Sequence, residues 1–267
     1  MYDTLILSGN STNAVVTLGA LQHVIDKKWL KNITTYIGTS SGAMLGLLLI
    51  IGYEPIDILS YICAEKIYKK INTINFSNML LLGKGIMSFE PIKSSLEDLI
   101  LEKIGFIPTM EQIEQIFNKR MFIVTYNLSD DSKEYISTQT YPNLLITHAI
   151  RMSSTFPLIF EPYEYNGKFY IDGGIVDNFA LEFGELIGNN CIGIFTNNPG
   201  KKYKSDSGNI DYIQKIFSIV IKQITLDKIQ RATNTKIIKL DYHANFFNFE
   251  STNTELISMF DTGYNLV

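Results

Sequence analysis

The stretch Gly38-Thr39-Ser40-Ser41-Gly42 follows a short apolar run and leads into a longer one at residues 43–51. This order of residues predicts a β-strand that turns sharply into an α-helix, with Ser40 at the turn. A side chain at either flanking glycine would crowd the turn, and Ser40 itself is expected to adopt a strained backbone conformation. The turn presents the Ser40 hydroxyl at the positive end of the helix, where developing negative charge is favoured. The pattern is typical of a nucleophilic serine.

The residues around this turn predict an α/β fold. Residues 2–7 are an apolar run typical of a buried strand, and residues 14–28 carry apolar side chains at helical spacing. With the strand at residues 35–37 they form a βαβ unit, whose two strands are expected to be parallel. Strands and helices continue to alternate, and no repeat or linker divides them. We therefore expect a single domain over residues 1–267.

The composition excludes several classes of protein. The chain has 267 residues, of which 46% are hydrophobic, so it can bury a sizeable core. Its net charge is −4, and no block of basic residues indicates a nucleic-acid partner. Cys63 and Cys191 lie far apart in apolar surroundings, which favours free thiols and a reducing compartment. No cysteine and histidine cluster has metal-ligand spacing, so we expect neither a metal nor a cofactor.

The N-terminus and the apolar runs bear on the location of the chain. Residues 1–5 lack a basic segment and enter a strand at once, so we expect no signal peptide. The apolar run at residues 43–51 is far shorter than the ~20 residues that a membrane-spanning helix needs. We therefore expect a protein that is cytoplasmic or peripheral to membranes.

A nucleophilic serine needs a base, and the chain has three histidines that could supply one. The order Ser40, Asp172, His243 matches a triad of the α/β-hydrolase type. However, only 39 residues precede Ser40, too few for the strands that such a fold builds first. Taken singly, His23, His148 and His243 are each interpreted as a surface or capping residue.

Asp172 is the better partner for Ser40. It ends an apolar strand and is followed by Gly173 and Gly174, so its carboxylate is expected at a strand end with little side-chain bulk beside it. The preceding Asn166-Gly167 pair, between two aromatic runs, predicts a two-residue hairpin. A carboxylate with an ordinary pKa near 4 is a weak base, and burial would raise that pKa.

Four blocks of the chain, taken in order, resemble the patatin-like phospholipases, a family of Ser–Asp acyl hydrolases. The blocks are residues 5–9 with 19–21, residues 38–42, residues 151–162 and residues 172–174. The resemblance implies a three-layer α/β/α fold around a central, mostly parallel sheet. It also implies that Ser40 and Asp172 lie at the carboxyl ends of neighbouring strands.

The resemblance further implies a reaction and the roles of the site residues. Ser40 attacks the ester carbonyl of a phospholipid or another glycerolipid, and Asp172 takes its proton without a histidine. The remaining roles are those of the backbone oxyanion donors Gly9, Asn10 and Ser11, the elbow glycines Gly38 and Gly42, and the acid-motif glycines Gly173 and Gly174. The lipid is the expected partner, and a peripheral membrane surface is left open as the place of action.

The first loop departs from the family pattern Gly-Gly-Gly-x-Arg/Lys-Gly, because this chain has Gly9-Asn10-Ser11-Thr12-Asn13-Ala14. Side-chain replacement leaves the backbone N–H donors in place but removes the positive φ that glycine adopts readily. Two hypotheses therefore stand: an active lipid acyl hydrolase, and a weak or inactive relative that binds lipid or a partner protein. On the first hypothesis, glycine at positions 10 and 11 is expected to raise kcat.

Two apolar stretches could also contact lipid. Residues 79–87 join two helices, carry glycines and have few charges, and they are interpreted as a lid. The helix around Phe217 has an apolar stripe for which packing against the core is the favoured interpretation.

Overall fold

A computed structural model describes residues 1–71, 85–197, 208–242 and 250–267. Within these residues, eight strands pair into one sheet in the order β5-β6-β3-β2-β1-β7-β8, with β4 also paired to β3. The strands are β1 (Thr4–Leu7), β2 (Thr35–Thr39), β3 (Arg120–Asn127), β4 (Ser132–Ile136), β5 (Tyr163–Tyr165), β6 (Lys168–Asp172), β7 (Cys191–Asn197) and β8 (Thr235–Asp241). The five central strands from β3 to β8 are mutually parallel, whereas β4, β5 and β6 join by antiparallel pairing.

Helices connect and cover these strands. They are α1 (Ala14–Asp26), α2 (Ser41–Ile50), α3 (Pro55–Glu65), α4 (Ile67–Ile71), α5 (Glu90–Ile104), α6 (Met110–Phe117), α7 (Ile146–Ser153), α8 (Gly174–Asp177), α9 (Leu181–Ile187), α10 (Asn209–Arg231) and α11 (Asn253–Asn265). A single 3₁₀ turn, Ser11–Asn13, precedes α1. Among the described residues, no single helix has the length and apolar character to cross a membrane.

The sheet is buried on both faces, which gives the three layers expected from the sequence. Alternate residues of a strand point to opposite faces, and in β1 Leu5 and Leu7 pack in one apolar cluster while Ile6 packs in another. The first cluster also contains residues of α1, α2, α3, α5 and α11. The second contains Leu181 of α9 and packs against Ile229 of α10.

The local predictions agree with these elements to within a few residues. The βαβ unit is present, because β1 and β2 are parallel and α1 connects them. The hairpin at Asn166-Gly167 joins β5 to β6, with φ of 50° and 74° at its two turn residues. Residues 198–207 lie outside the described residues. So do His243 and residues 79–84 of the segment interpreted as a lid.

Candidate active site

Ser40 occupies a strained turn between β2 and α2, as the sequence predicts. Its φ of 53° and ψ of −123° are disfavoured for a residue with a Cβ. The flanking glycines permit close packing: a Cβ at Gly38 would lie 2.5 Å from the backbone of Ala43, and one at Gly42 would lie 2.4 Å from the carbonyl oxygen of Leu7. The helix therefore starts directly beside β1 and β2, with Ser40 at its N-terminus.

Ser153 holds this turn in place, and the sequence did not single it out. The Ser40 N–H donates to Ser153 Oγ at 2.8 Å, and the same hydroxyl donates to the carbonyl oxygen of Val124 at 2.6 Å. Ser153 is fully buried at the end of α7, so it links the turn to β3. Its only sequence signal was its place in the block at residues 151–162.

Asp172 ends β6, and its carboxylate lies close enough to the Ser40 side chain for that side chain to lower its pKa. Its Oδ1 accepts from the Gly174 N–H at 2.7 Å, and its own N–H donates to the Thr155 carbonyl at 3.0 Å. Burial raises the pKa of Asp172 to about 7, against the opposing effects of the nearby Ser40 side chain and of the hydrogen bond from the Gly174 N–H. Near neutral pH the carboxyl is therefore populated in both its protonated and its ionised form, whereas an aspartate with the ordinary pKa would be almost fully ionised.

The strands that carry the two residues are arranged differently from the expectation. β2 and β6 are not neighbours, because both pair with β3: Thr39 lies opposite Val124, and Asp172 lies opposite Thr125. β4 pairs with the same part of β3 from the other side, so β2 and β6 share one edge of β3. β2 is parallel to β3 and β6 is antiparallel to it, so their carboxyl ends face each other end to end.

Asn178, just beyond α8, ties the acid motif to the first loop. Its Nδ2 donates to the Gly9 carbonyl at 2.9 Å, and the Gly9 N–H donates to the Asn178 carbonyl at 3.2 Å. The loop is thus fixed beside Ser40: a Cβ at Gly9 would lie 3.2 Å from the Ser40 Cβ.

The first loop offers fewer free backbone donors than the sequence suggests. Gly9 N–H is used by Asn178, and Asn10 N–H donates to Ser41 Oγ at 2.9 Å. Ser11, at φ 49°, takes the left-handed conformation, whereas Asn10 does not. Within the described part of the chain, the N–H groups of Ser11 and Ser41 have no hydrogen-bond partner, and both residues line the pocket below.

The Asn10 side chain explains why this position is not glycine. It is 3% exposed, and its Nδ2 donates to Thr17 Oγ1 at 2.9 Å and to the Ser8 carbonyl at 3.4 Å. Its Oδ1 accepts from the Ser8 hydroxyl at 3.2 Å. The amide therefore braces the loop against α1 and is not available as a side-chain oxyanion donor.

Ser40 and Asp172 open on a pocket with a cavity of about 170 Å³ and mostly apolar walls. The walls come from one face of α2 and from α3, α4 and α5, and they include Leu45, Leu48, Ile58, Ile62, Leu96 and Leu99. Ser154 also lines the pocket; its hydroxyl is buried and has no hydrogen-bond partner in the structure as described. Such a pocket suits a hydrocarbon chain whose polar end lies at Ser40.

The described histidines lie away from this pocket. His23 contacts the Tyr264 carbonyl at 2.9 Å, and His148 is hydrogen-bonded to the Tyr163 hydroxyl. Burial lowers the pKa of His148. Among the described residues there is also no group of three or more histidine, cysteine, aspartate or glutamate side chains arranged to hold a metal.

Comparisons with known proteins bear on the family and the fold of the chain. The family model "Patatin-like phospholipase" matches residues 5–183. A curated relative, "Probable lipid hydrolase 463L" of Invertebrate iridescent virus 6, is 33% identical over 210 residues, which are 77% of this chain and 68% of that protein.

Two solved structures share the fold. VipD from Legionella pneumophila has a TM-score of 0.55 at 17% identity, and the match covers 99% of this chain and 65% of VipD. The type III effector protein ExoU of Pseudomonas aeruginosa has a TM-score of 0.50 at 14% identity, and the match covers 98% of this chain and 51% of ExoU. The chain thus spans about half to two thirds of these proteins.

Proposed function

The chain belongs to the patatin-like phospholipase family, and from that premise we propose that it is a lipid acyl hydrolase with Ser40 as nucleophile and Asp172 as base. Its substrates are carboxylic esters of phospholipids or other glycerolipids. The observation that carries the proposal is that the strained Ser40 turn and the buried Asp172 carboxylate meet in the lining of one mostly apolar pocket. We further propose that residues 1–267 form one domain, because all the described strands share one sheet.

The reaction proceeds in two halves. In acylation, Ser40 Oγ attacks the ester carbonyl carbon while its proton passes to the Asp172 carboxylate. The tetrahedral intermediate collapses, and Asp172 returns the proton to the leaving alcohol, which leaves the acyl group on Ser40. In deacylation, water gives a proton to Asp172 and attacks the acyl carbon, and Ser40 regains its proton as the fatty acid departs.

The raised pKa of Asp172 supports its role in both directions. A base is most effective when its pKa lies near the working pH, and burial brings the pKa of Asp172 to about 7. The same group, once protonated, is then acidic enough to donate to the leaving alcohol. An exposed aspartate with its ordinary pKa would be a poor base for a serine hydroxyl.

The N–H groups of Ser11 and Ser41 are the proposed oxyanion donors, in place of the Gly9 and Asn10 groups that are already engaged. Ser11 begins the turn that leads into α1, and Ser41 is the first residue of α2. Both helices therefore direct their positive ends toward the reacting carbonyl. Each such donor contributes about 10²–10³ to the rate.

The second hypothesis, a weak or inactive relative that binds lipid, is favoured by the engagement of Gly9 and Asn10 N–H. The two hypotheses differ in turnover. We expect the purified chain to hydrolyse p-nitrophenyl butyrate and to release fatty acid from phosphatidylcholine vesicles. We expect Ser40→Ala and Asp172→Asn each to lose at least ~10³-fold in kcat/KM.

Matched controls make this test specific. Ser60→Ala changes an exposed serine of α3 whose hydroxyl donates to the Ile56 carbonyl of the same helix, so it should retain full activity. His23→Ala, His148→Ala and His243→Ala should each retain substantial activity as well. Binding of lipid without any turnover would favour the second hypothesis, and loss of activity in a histidine variant equal to that of Asp172→Asn would replace the dyad by a triad.

A further inference from the structure

The helix α10 exposes apolar side chains to solvent on one side. Along its first half these side chains recur three and four residues apart, and they are 37–57% exposed. We call this set the outer face; it consists of Tyr212, Ile213, Ile216, Ile219 and Val220. Residues with this spacing lie on one side of a helix, so the exposed side chains form a continuous stripe. The packing interpretation from the sequence therefore describes only the opposite side of the helix.

That opposite side packs directly on the pocket. The Phe217 ring meets the Phe156 ring edge to face at 5.7 Å, and Ile221 lines the pocket. Further along, the buried Lys228 ion-pairs with Asp177 at 2.5 Å, five residues beyond Asp172. The outer face is therefore one helix diameter, about 10 Å, from the wall of the pocket.

Charge and position together indicate what covers the outer face. Lys222 lies three residues after Ile219 and borders the stripe along one side. A helix with an apolar stripe bordered by lysine is typical of one that lies in the surface of an anionic bilayer. In the second half of α10 the exposed positions are polar, among them Gln223, Asp227 and Gln230.

We propose that the outer face of α10 docks the protein on an anionic lipid bilayer, with the apolar side chains inserted at the interface and Lys222 at the headgroups. The choice of partner rests on the proposed function, because the lipid ester must pass from the bilayer into the pocket beside this helix. Docking through α10 brings that pocket to the lipid surface.

The test uses sedimentation with vesicles of phosphatidylcholine alone or mixed with phosphatidylglycerol, and the full chain carrying Ser40→Ala so that no lipid is consumed. We expect binding to the anionic vesicles. Ile219→Glu should weaken it at least about tenfold, and Lys222→Gln should weaken it about fivefold on the anionic vesicles only. Leu186→Glu, which changes an 80% exposed leucine on α9, is the matched control and should bind as the parent does.

Equal binding by the Ile219→Glu and Leu186→Glu proteins would overturn the proposal. So would a concentration-dependent dimer that Ile219→Glu abolishes in a chain that does not bind vesicles, since a second copy would then be the partner. Hydrolysis of soluble p-nitrophenyl butyrate by the wild-type chain is measured in parallel. It reports the proposed function separately, because that ester needs no bilayer.

Discussion

Ser40 and Asp172 lie at the facing ends of two strands that meet along one edge of β3. Thr39 pairs with Val124 and Asp172 with the next residue, Thr125, so the register of β3 sets the distance between Ser40 and Asp172. Rigid strands hold a pair of reacting groups more precisely than loops do. The geometry of the site therefore depends on β3 and on the contacts that hold the Ser40 turn against it.

The pH dependence of activity should follow the pKa of Asp172. Because the base must be ionised and its pKa is about 7, kcat/KM for p-nitrophenyl butyrate should be low at pH 5 and should rise to a plateau above pH 8. An aspartate with an ordinary pKa would already reach the plateau at pH 5. The measurement is the rate at low substrate concentration, followed at a wavelength where both forms of nitrophenol absorb equally.

A histidine base would also titrate near neutral pH, so the type of group must be identified. Adding dimethyl sulfoxide lowers the dielectric constant, which raises the pKa of a carboxyl group, because its ionised form is the charged one. An imidazolium loses its charge on deprotonation, so its pKa does not rise. We expect the inflection to move to higher pH; a shift to lower pH would exclude Asp172 as the titrating group.

Asp172→Asn should make the protein more stable above neutral pH. The pKa of Asp172 is about 7 when folded and near 3.8 when unfolded, so the folded state holds its proton more tightly. Wild-type stability therefore falls as the pH rises from about 4 to 7 and stays lower above that range. The asparagine variant lacks this loss, and above pH 7 it should gain on the order of 1.4 kcal/mol for each unit of pKa shift. Urea denaturation of both proteins at pH 5 and pH 8 measures the difference; parallel changes with pH would contradict the burial of this carboxylate.

Ser153→Ala should lower kcat while leaving KM nearly unchanged. The substitution removes the hydroxyl that joins Ser40 N–H to the Val124 carbonyl. Ser40 should then be less precisely aligned for attack, while the substrate should bind as before. We expect a fall of about 10- to 100-fold in kcat and a loss of about 1–3 kcal/mol in the free energy of unfolding. Ser154→Ala is the matched control for stability, because its buried hydroxyl lacks a partner among the described residues and its removal should not destabilise the fold. Wild-type kcat in Ser153→Ala would show that the turn needs no such support.

Glycine substitutions at positions 10 and 11 should have opposite effects on stability. Ser11 has a positive φ that glycine adopts without strain, so Ser11→Gly should stabilise the protein by about 1 kcal/mol. Asn10 has a negative φ and three buried side-chain hydrogen bonds, so Asn10→Gly should destabilise it by about 1–3 kcal/mol. The structure thus replaces the expectation that both glycines raise kcat: only Ser11→Gly should do so. Thermal unfolding and steady-state kinetics of the two single variants decide the point, and equal effects would contradict it.

The sequence was sufficient for the local features of the site. The glycines around Ser40 predicted its strained turn, and the Asn166-Gly167 pair predicted the hairpin that carries Asp172. It could not reveal that β2 and β6 meet end to end, because antiparallel pairing to β3 depends on contacts far apart in the chain. The sequence suggested that the lack of glycine at position 10 weakens the oxyanion loop, because nothing in the sequence reveals the hydrogen bond between the Asn10 and Thr17 side chains. The spacing of apolar residues around Phe217 likewise predicted a helix, but it did not show which of those residues face solvent.

A fluorophosphonate bonds covalently to an activated serine. Identifying the residue that it labels is the most direct test of Ser40 as the nucleophile. We expect mass spectra to show one adduct per chain, on the peptide that contains Ser40, with labelling that falls below pH 7 as Asp172 is protonated. Ser40→Ala should show no adduct, and Ser60→Ala should label as the wild type does. Undiminished labelling of Ser40→Ala, or an adduct on another serine, would contradict the assignment of Ser40 as the nucleophile.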